Sequence, residues 1–202
     1  MRSYQEAEGV SFYLKAVSGS RAEDYALLSW LAQDEAKAKI RELVTVDEGK
    51  DNDIGTPRGR QQPLSSSWFK RADAAAVARL RGNTLTFFKN HDKTRAGENA
   101  RTTFEDHRKK LKGEDFSGNG CCIPLNTKAT NAFSHKRSMA YLANRFSLPI
   151  LRNFFADRGI DMNNDIYAIS EMVQVVWRTA IRNNEPIALY IPSERMHCLF
   201  KL

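Results

Sequence analysis

Cysteine is scarce in this chain: Cys121, Cys122 and Cys198 are all it has. The number is odd and the spacing suits no metal, which excludes a disulfide framework and a zinc module as the organising principle. The adjacent pair reads as small hydrophobes in a strand, and the scarcity fits a reducing, cytoplasmic setting. The histidines, His91, His107, His135 and His197, are scattered without ligand spacing, so no metal site is expected. No apolar run approaches the ~20 residues of a membrane span. The opening MRSYQEAEGVSFYL carries two glutamates and no signal-peptide core. Also missing are G-x-x-x-x-G-K-[ST], G-x-G-x-x-G and G-x-S-x-G, so neither a phosphate loop, a dinucleotide fingerprint nor a nucleophile elbow is present. A complete active site within this chain is not expected.

What the chain does have is positive charge, unevenly placed. Residues 1–59 carry 8 Lys/Arg against 11 Asp/Glu, residues 60–137 carry 16 against 7, and residues 138–202 carry 7 against 6. The middle third is the basic body. Such a block favours a polyanionic partner, nucleic acid first, although a solubilising surface has the same composition. Within it, His107-Arg108-Lys109-Lys110 suits either a nucleic-acid backbone or solvent.

The most legible stretch runs from Asp165 to Met196. Ile166, Ile169, Met172, Val173, Val176, Trp177 and Ala180 recur at steps of three and four, the apolar stripe of a helix. Ser170, Gln174, Arg178 and Arg182 form a polar row at spacings of four. That row is either a solvated face or a holder of phosphate, whose oxygens match the guanidinium fork. Asn183 to Pro186 stops the helix. Ile187 to Ile191 then reads as a strand buried on both faces.

Elsewhere, strands are expected at 10–17, 84–88 and 121–125. Helices are expected at 21–43, where Ser20 and Glu23 form a capping box, and at 72–80, 100–111 and 144–155. Ser138 to Leu142 is a strand or a helix start. Residues 47–67 read as a polar linker. The loop 126–137, NTKATNAFSHKR, is rich in hydroxyl, amide and cationic groups at a strand end, where α/β proteins bind ligands. The alternation predicts an α/β fold, a parallel sheet with helices on both faces. Residues 1–67 would form a strand-helix extension with its linker, and 68–202 the main lobe.

Taken in order, GNTLTFFKN, PLNTKATNAFSHKRSMAYLANRF and YAISEMVQVVWRTAIR followed by IALYIPSERM resemble the second RecA-like lobe of superfamily 2 (DEAD/DEAH-like) helicases. The likeness is greater to the C-terminal part of helicase-like proteins of phages, plasmids and integrative elements. The resemblance implies that Gln174, Arg178 and Arg182 stand where that family has a Gln-x-x-Gly-Arg-x-x-Arg helix. The arginines would act on ATP and Gln174 would contact it. Trp177 replaces the glycine, and Arg182 falls one residue late, the expected position holding Ile181. It also implies that Thr130 and Asn131 lie in a nucleotide-sensing loop that contacts a DNA or RNA backbone, with Lys128, Lys136 and Arg137 in the same segment; Lys109 and Lys110, from the basic run, are expected to contact that backbone too. The phosphate loop and the acidic Mg²⁺ motif belong to that family's first lobe. ATP with Mg²⁺ would therefore be needed only with a partner protein supplying that lobe, and this chain, ending in ERMHCLFKL, would be a detached or truncated lobe without ATPase activity of its own. The alternative is a small stand-alone nucleic-acid-binding or regulatory protein of a mobile element, working without ATP.

Overall fold

The computed structural model describes residues 38, 40–57, 59, 61–113, 116, 120–125 and 131–201. The strand expected at 10–17 and most of the helix expected at 21–43 lie outside them. Four short strands, β1 (Val44–Val46), β2 (Asn99–Thr102), β3 (Ser138–Tyr141) and β4 (Ile187–Tyr190), form one sheet in the order β1-β4-β3-β2. Every pairing is parallel, with Thr45 opposite Ala188, Met139 opposite Leu189 and Arg101 opposite Ala140. The last strand in the chain is thus threaded between the first and the third. Residues 121–123 extend along the outer side of β2: the Arg101 N–H donates to Cys121 O at 2.7 Å and the Ile123 N–H to Arg101 O at 2.9 Å.

Side chains alternate across a strand, so this sheet needs two apolar covers. On one face Met139, Tyr141, Ile187 and Leu189 pack with Ala168, Met172 and Val176 of α4 (Asn164–Val176) and with Met196 of α5 (Glu194–Lys201). On the other, Ala140, Leu142 and Tyr190 meet Phe69 of α1 (Ser66–Arg71), Leu80 of α2 (Ala74–Thr86), Phe87 and Phe88. Each large side chain buried this way contributes about 1.5–3 kcal/mol before ordering entropy is subtracted. The expected α/β architecture, a parallel sheet with helices on both faces, is therefore the one observed.

Two of the expected elements change type. Thr84 to Phe88 is helical: α2 runs on from Ala74 to Thr86 and ends in a π turn, Phe87–His91. Five residues of β-branched and aromatic character fit either period. The longer window does not, because the buried positions Leu80, Thr84, Phe87 and Phe88 fall at helical spacing. Gly82 and Asn83 do not end the helix; the Asn83 amide donates to Asp51 O at 2.8 Å and anchors it. Likewise, 100–111 is not one basic helix. Its first residues complete β2, buried throughout, and only Glu105–Leu111 coil, as a 3-10 helix.

The 144–155 helix begins later, as α3 (Pro149–Ala156), with Pro149 in the first turn where a missing N–H is harmless. α4 stops at Val176, well before Pro186. The Thr179 hydroxyl donates to Val176 O at 2.6 Å, and the Ala180 N–H leaves the helix to donate to Lys136 O at 2.9 Å. β1 joins the sheet just before the expected linker, and within the linker Lys50–Ile54 makes a 3-10 turn. The chain then passes beneath the end of β4 at Gly55, where a Cβ would sit 1.5 Å from Pro192 O. Only glycine allows so close an approach.

Candidate nucleic-acid interface

α1 is a short helix capped by Ser65, whose hydroxyl accepts from the Trp68 N–H at 3.2 Å. Lys70 and Arg71 occupy its last turn, where the helix dipole favours cations. Glu105–Leu111 repeats the arrangement, with Glu105 and Asp106 first and Arg108, Lys109 and Lys110 last. Phe69 brings the two together. Its ring is fully buried, stacks on His107 with centroids 5.1 Å apart and meets Phe104 edge-on at 6.3 Å. Its carbonyl accepts a 2.9 Å hydrogen bond from Lys110 Nζ.

The electrostatics record the same convergence. The His107 imidazole is held below the usual histidine range, first by burial, then by Lys110, with a further push from Lys70; the Ser66 backbone and Asp106 oppose this. Two basic segments distant in sequence therefore pack around one buried histidine. Lys70, Arg71, Arg108, Lys109 and Lys110 all remain exposed on this face. Arg108 also makes a 3.4 Å ion pair with Glu105 at the surface, where such pairs are worth little. Sequence reasoning singled out Lys109 and Lys110 and passed over Lys70 and Arg71 on the same face, for which the signal was the aromatic-basic run Trp68-Phe69-Lys70-Arg71.

The remaining expected residues lie elsewhere. Lys136 is only 2% exposed, and its ammonium donates to Gly97 O at 2.7 Å. Burial pushes it below the usual lysine range. Arg137 is exposed and paired with Glu185 at 2.8 Å. Both precede β3, at the edge where the strands begin, whereas Lys109 and Lys110 follow β2, at the opposite edge. The structure thus does not bring these two pairs together. Asn131 is exposed and opens a turn closed by the Ser134 N–H on its carbonyl at 3.1 Å. Lys128 and Thr130 lie outside the described residues.

Gln174 and Arg178 are half-buried near the end of α4, and Arg182 is exposed in the 3-10 turn Ala180–Asn183. Arg178 is held below the usual arginine range by burial, with Glu171 opposing and Arg182 adding to the shift. Its Nη1 is buried without a hydrogen-bond partner among the described residues. These groups share the strand-start edge with Lys136, because α4 runs back against the strand direction.

The strand-end edge, where α/β folds bind ligands, is closed by Arg195. Its Nη1 donates to Asn144 Oδ1 at 2.8 Å and Arg145 O at 2.7 Å, and its Nη2 to Asn164 O at 3.1 Å and Asp165 Oδ1 at 2.6 Å. The guanidinium is filled by the protein itself and acts as a clamp. Beneath it Arg145 pairs with Glu171 at 2.6 Å and meets the Tyr167 hydroxyl at 3.1 Å. Beyond β1, His91 Nδ1 lies 2.8 Å from Asp47 Oδ1. Among the described residues, no group of three His, Cys, Asp or Glu is placed to hold a metal ion. Nor is any described helix long and apolar enough to cross a membrane.

No solved structure matches this chain. It is similar to the SPbeta prophage-derived uncharacterized protein YonV of Bacillus subtilis (strain 168), with 37% identity over 198 residues. The match covers 97% of this chain and 47% of the relative, so the chain spans about half the length of that protein. A phage setting, expected from the resemblance, agrees with this relative, and the parallel sheet agrees with the fold family. The model of the YonV C-terminal Rossmann-like domain matches residues 38–202, and the chain belongs to that family.

Proposed function

We propose that this domain binds the backbone of a nucleic acid, without reading sequence, through the face made by the end of α1 and Glu105–Leu111. The observation that carries it is the stacking of Phe69 on the buried His107, with Lys110 Nζ on the Phe69 carbonyl, which sets the Lys70-Arg71 end of α1 against Glu105–Leu111. Cations from separate segments, held on one rigid aromatic core, give a positive surface that releases counterions when it meets phosphates. Lys109 and Arg108 widen this surface.

The resemblance to a second helicase lobe extends the reading. In that form a separate protein supplies the first lobe, which holds ATP with Mg²⁺. Gln174 and Arg178 face the nucleotide with Arg182 beside them, and Thr130 and Asn131 sense it. Arg178 is half-buried, and its Nη1, buried without a hydrogen-bond partner among the described residues, suits an anionic acceptor. Bound ATP would supply the phosphoryl chemistry; this chain would supply positive charge toward it and would not hydrolyse it alone. The ATP-free form, a stand-alone nucleic-acid-binding protein of a mobile element, is favoured by the helical state of 84–88, which was expected as a strand and lies in the first segment that carries the resemblance.

Fluorescence anisotropy with labelled single- and double-stranded DNA and RNA, across a salt series, tests the shared reading. Binding should weaken steeply with salt. Lys70→Glu with Lys109→Glu should cut affinity about tenfold or more and flatten the salt slope by about two. Absence of binding at low salt, or binding untouched by the double variant, overturns it. Arg178→Ala separates the two forms: it alters nucleotide-dependent behaviour in the presence of a first lobe only if the helicase form holds.

A further inference from the structure

A cavity of about 410 Å³ opens beside the cation face. Trp68 and Arg71 line it from α1, Arg79 from α2, and Asp53, Gln61 and Gln62 from the chain between β1 and α1. Its volume lies within the range of small-ligand sites. The lining is held in place. The Trp68 ring meets the buried Phe69 ring at 80°, with centroids 5.0 Å apart. Pro63, which also lines the cavity, has its carbonyl tied to the far side of the sheet end by the Asn144 amide, which donates at 3.2 Å.

The chemistry of the lining selects the ligand. Most of its charge is already committed: Arg79 pairs with Asp53, and the Asp73 carboxylate caps α2 by accepting from the Ala76 N–H at 2.6 Å. Arg71 differs. It is exposed, and among the described residues its contact is the Ser67 carbonyl, to which Nε donates at 3.3 Å. What remains for a ligand is a half-buried indole, two side-chain amides and one guanidinium that belongs to the cation face as well. The indole and amides suit a flat, neutral ring with hydrogen-bonding edges, and the guanidinium suits a phosphate joined to it. We propose that the cavity takes one unstacked base of a single-stranded nucleic acid whose phosphates lie on Lys70, Arg71 and the cations of Glu105–Leu111. The inference rests on the nucleic-acid reading of that face and adds its strand preference. A base in a duplex must first leave its stack and its pair, so single strands are favoured. Stacking on an indole tolerates every base, so no sequence is read.

Fluorescence anisotropy of the whole chain tests it with two labelled strands of equal length and equal charge, one of ordinary DNA and one built of abasic units. The wild type should bind the ordinary strand about fivefold or more tightly. Trp68→Leu, which keeps an apolar group against Phe69, should bring the ordinary strand to the abasic level and leave abasic binding and its salt slope unchanged. Gln61→Ala with Gln62→Ala, both exposed, should reduce the preference about threefold or more at an unchanged unfolding midpoint. This double variant decides the matter alone if Trp68→Leu does not fold. Equal wild-type affinity for the two strands overturns the base cavity and leaves the backbone reading standing. Absence of binding to either strand removes both. A preference that survives the variants also overturns the proposal, as does a free nucleoside monophosphate that binds as tightly as the ordinary strand, which would make the cavity a small-molecule site.

Discussion

Arg195 Nη2 reaches Asp165 Oδ1 at 2.6 Å, and its other terminal nitrogen holds the Arg145 carbonyl at 2.7 Å. One guanidinium thereby joins the loop after β3, the start of α4 and the start of α5. Arg195→Ala should destabilise the fold by roughly 2–3 kcal/mol, most of it from carbonyls left without a donor, because Asp165 itself stays largely in water. Arg195→Lys should recover little, since an ammonium cannot span these acceptors. Urea unfolding midpoints of the two variants measure this, and full rescue by lysine would contradict it.

Gly55 and Gly82 make a second comparison. Gly55→Ala places a Cβ against Pro192 O, where the backbone must move, and should cost about 3 kcal/mol or more. Gly82 lies inside α2, and a Cβ added there would meet nothing within 4 Å. Gly82→Ala should therefore raise stability by about 0.5–1 kcal/mol through helix propensity. A loss at Gly82 would argue against the helical assignment of this region.

His107 gives the fold a pH dependence whose sign follows from its environment. Its folded-state pKa is depressed, burial being the main cause. Its contribution to stability is complete above the unfolded value of 6.5 and is lost as pH falls through the folded one, because the unfolded chain takes up the proton first. Wild-type protein should lose more stability between pH 7.5 and pH 5.5 than His107→Phe, which keeps a ring on Phe69 and removes the titrating group. Equal losses in paired thermal melts would rule this out.

Lys136 and Lys109 look alike in sequence and should behave in opposite ways. Lys136→Met removes the donor to Gly97 O and should lower stability by about 1–2 kcal/mol with little change in nucleic-acid affinity. Lys109→Glu should leave the unfolding free energy within about 0.5 kcal/mol and weaken binding. Measuring both quantities on both variants separates a structural lysine from a surface one.

That contrast shows where sequence reasoning succeeds here and where it stops. α4 and β4 were legible because Ile169, Met172 and Val176 keep a helical period, and because Ile187 to Ile191 has no charged residue to interrupt a buried strand. β2 was not legible: Asn-Ala-Arg-Thr has no apolar alternation, and Arg101 is buried by donating to the carbonyls of Phe116 and Arg108 rather than by being hydrophobic. Of the candidate interface, the run from Arg108 to Lys110 could be read directly. Its juxtaposition with Lys70 could not, because that depends on Phe69 meeting His107 across the fold. Lys136 was misleading because burial against Gly97 is a tertiary fact with no local signature.

The strand order has a consequence for how the chain comes together during synthesis. β4 supplies the neighbour of β1 and the inner neighbour of β3, yet it is made last. Until β4, ending at Tyr190, has left the ribosome exit channel, β1 has no partner among the described strands, and the β2-β3 pair stands with one raw edge. At ordinary synthesis rates of roughly 5–20 residues per second, that edge waits for several seconds. A chain released before Ile187 would carry two separate pieces of sheet, each able to capture another strand in place of its own.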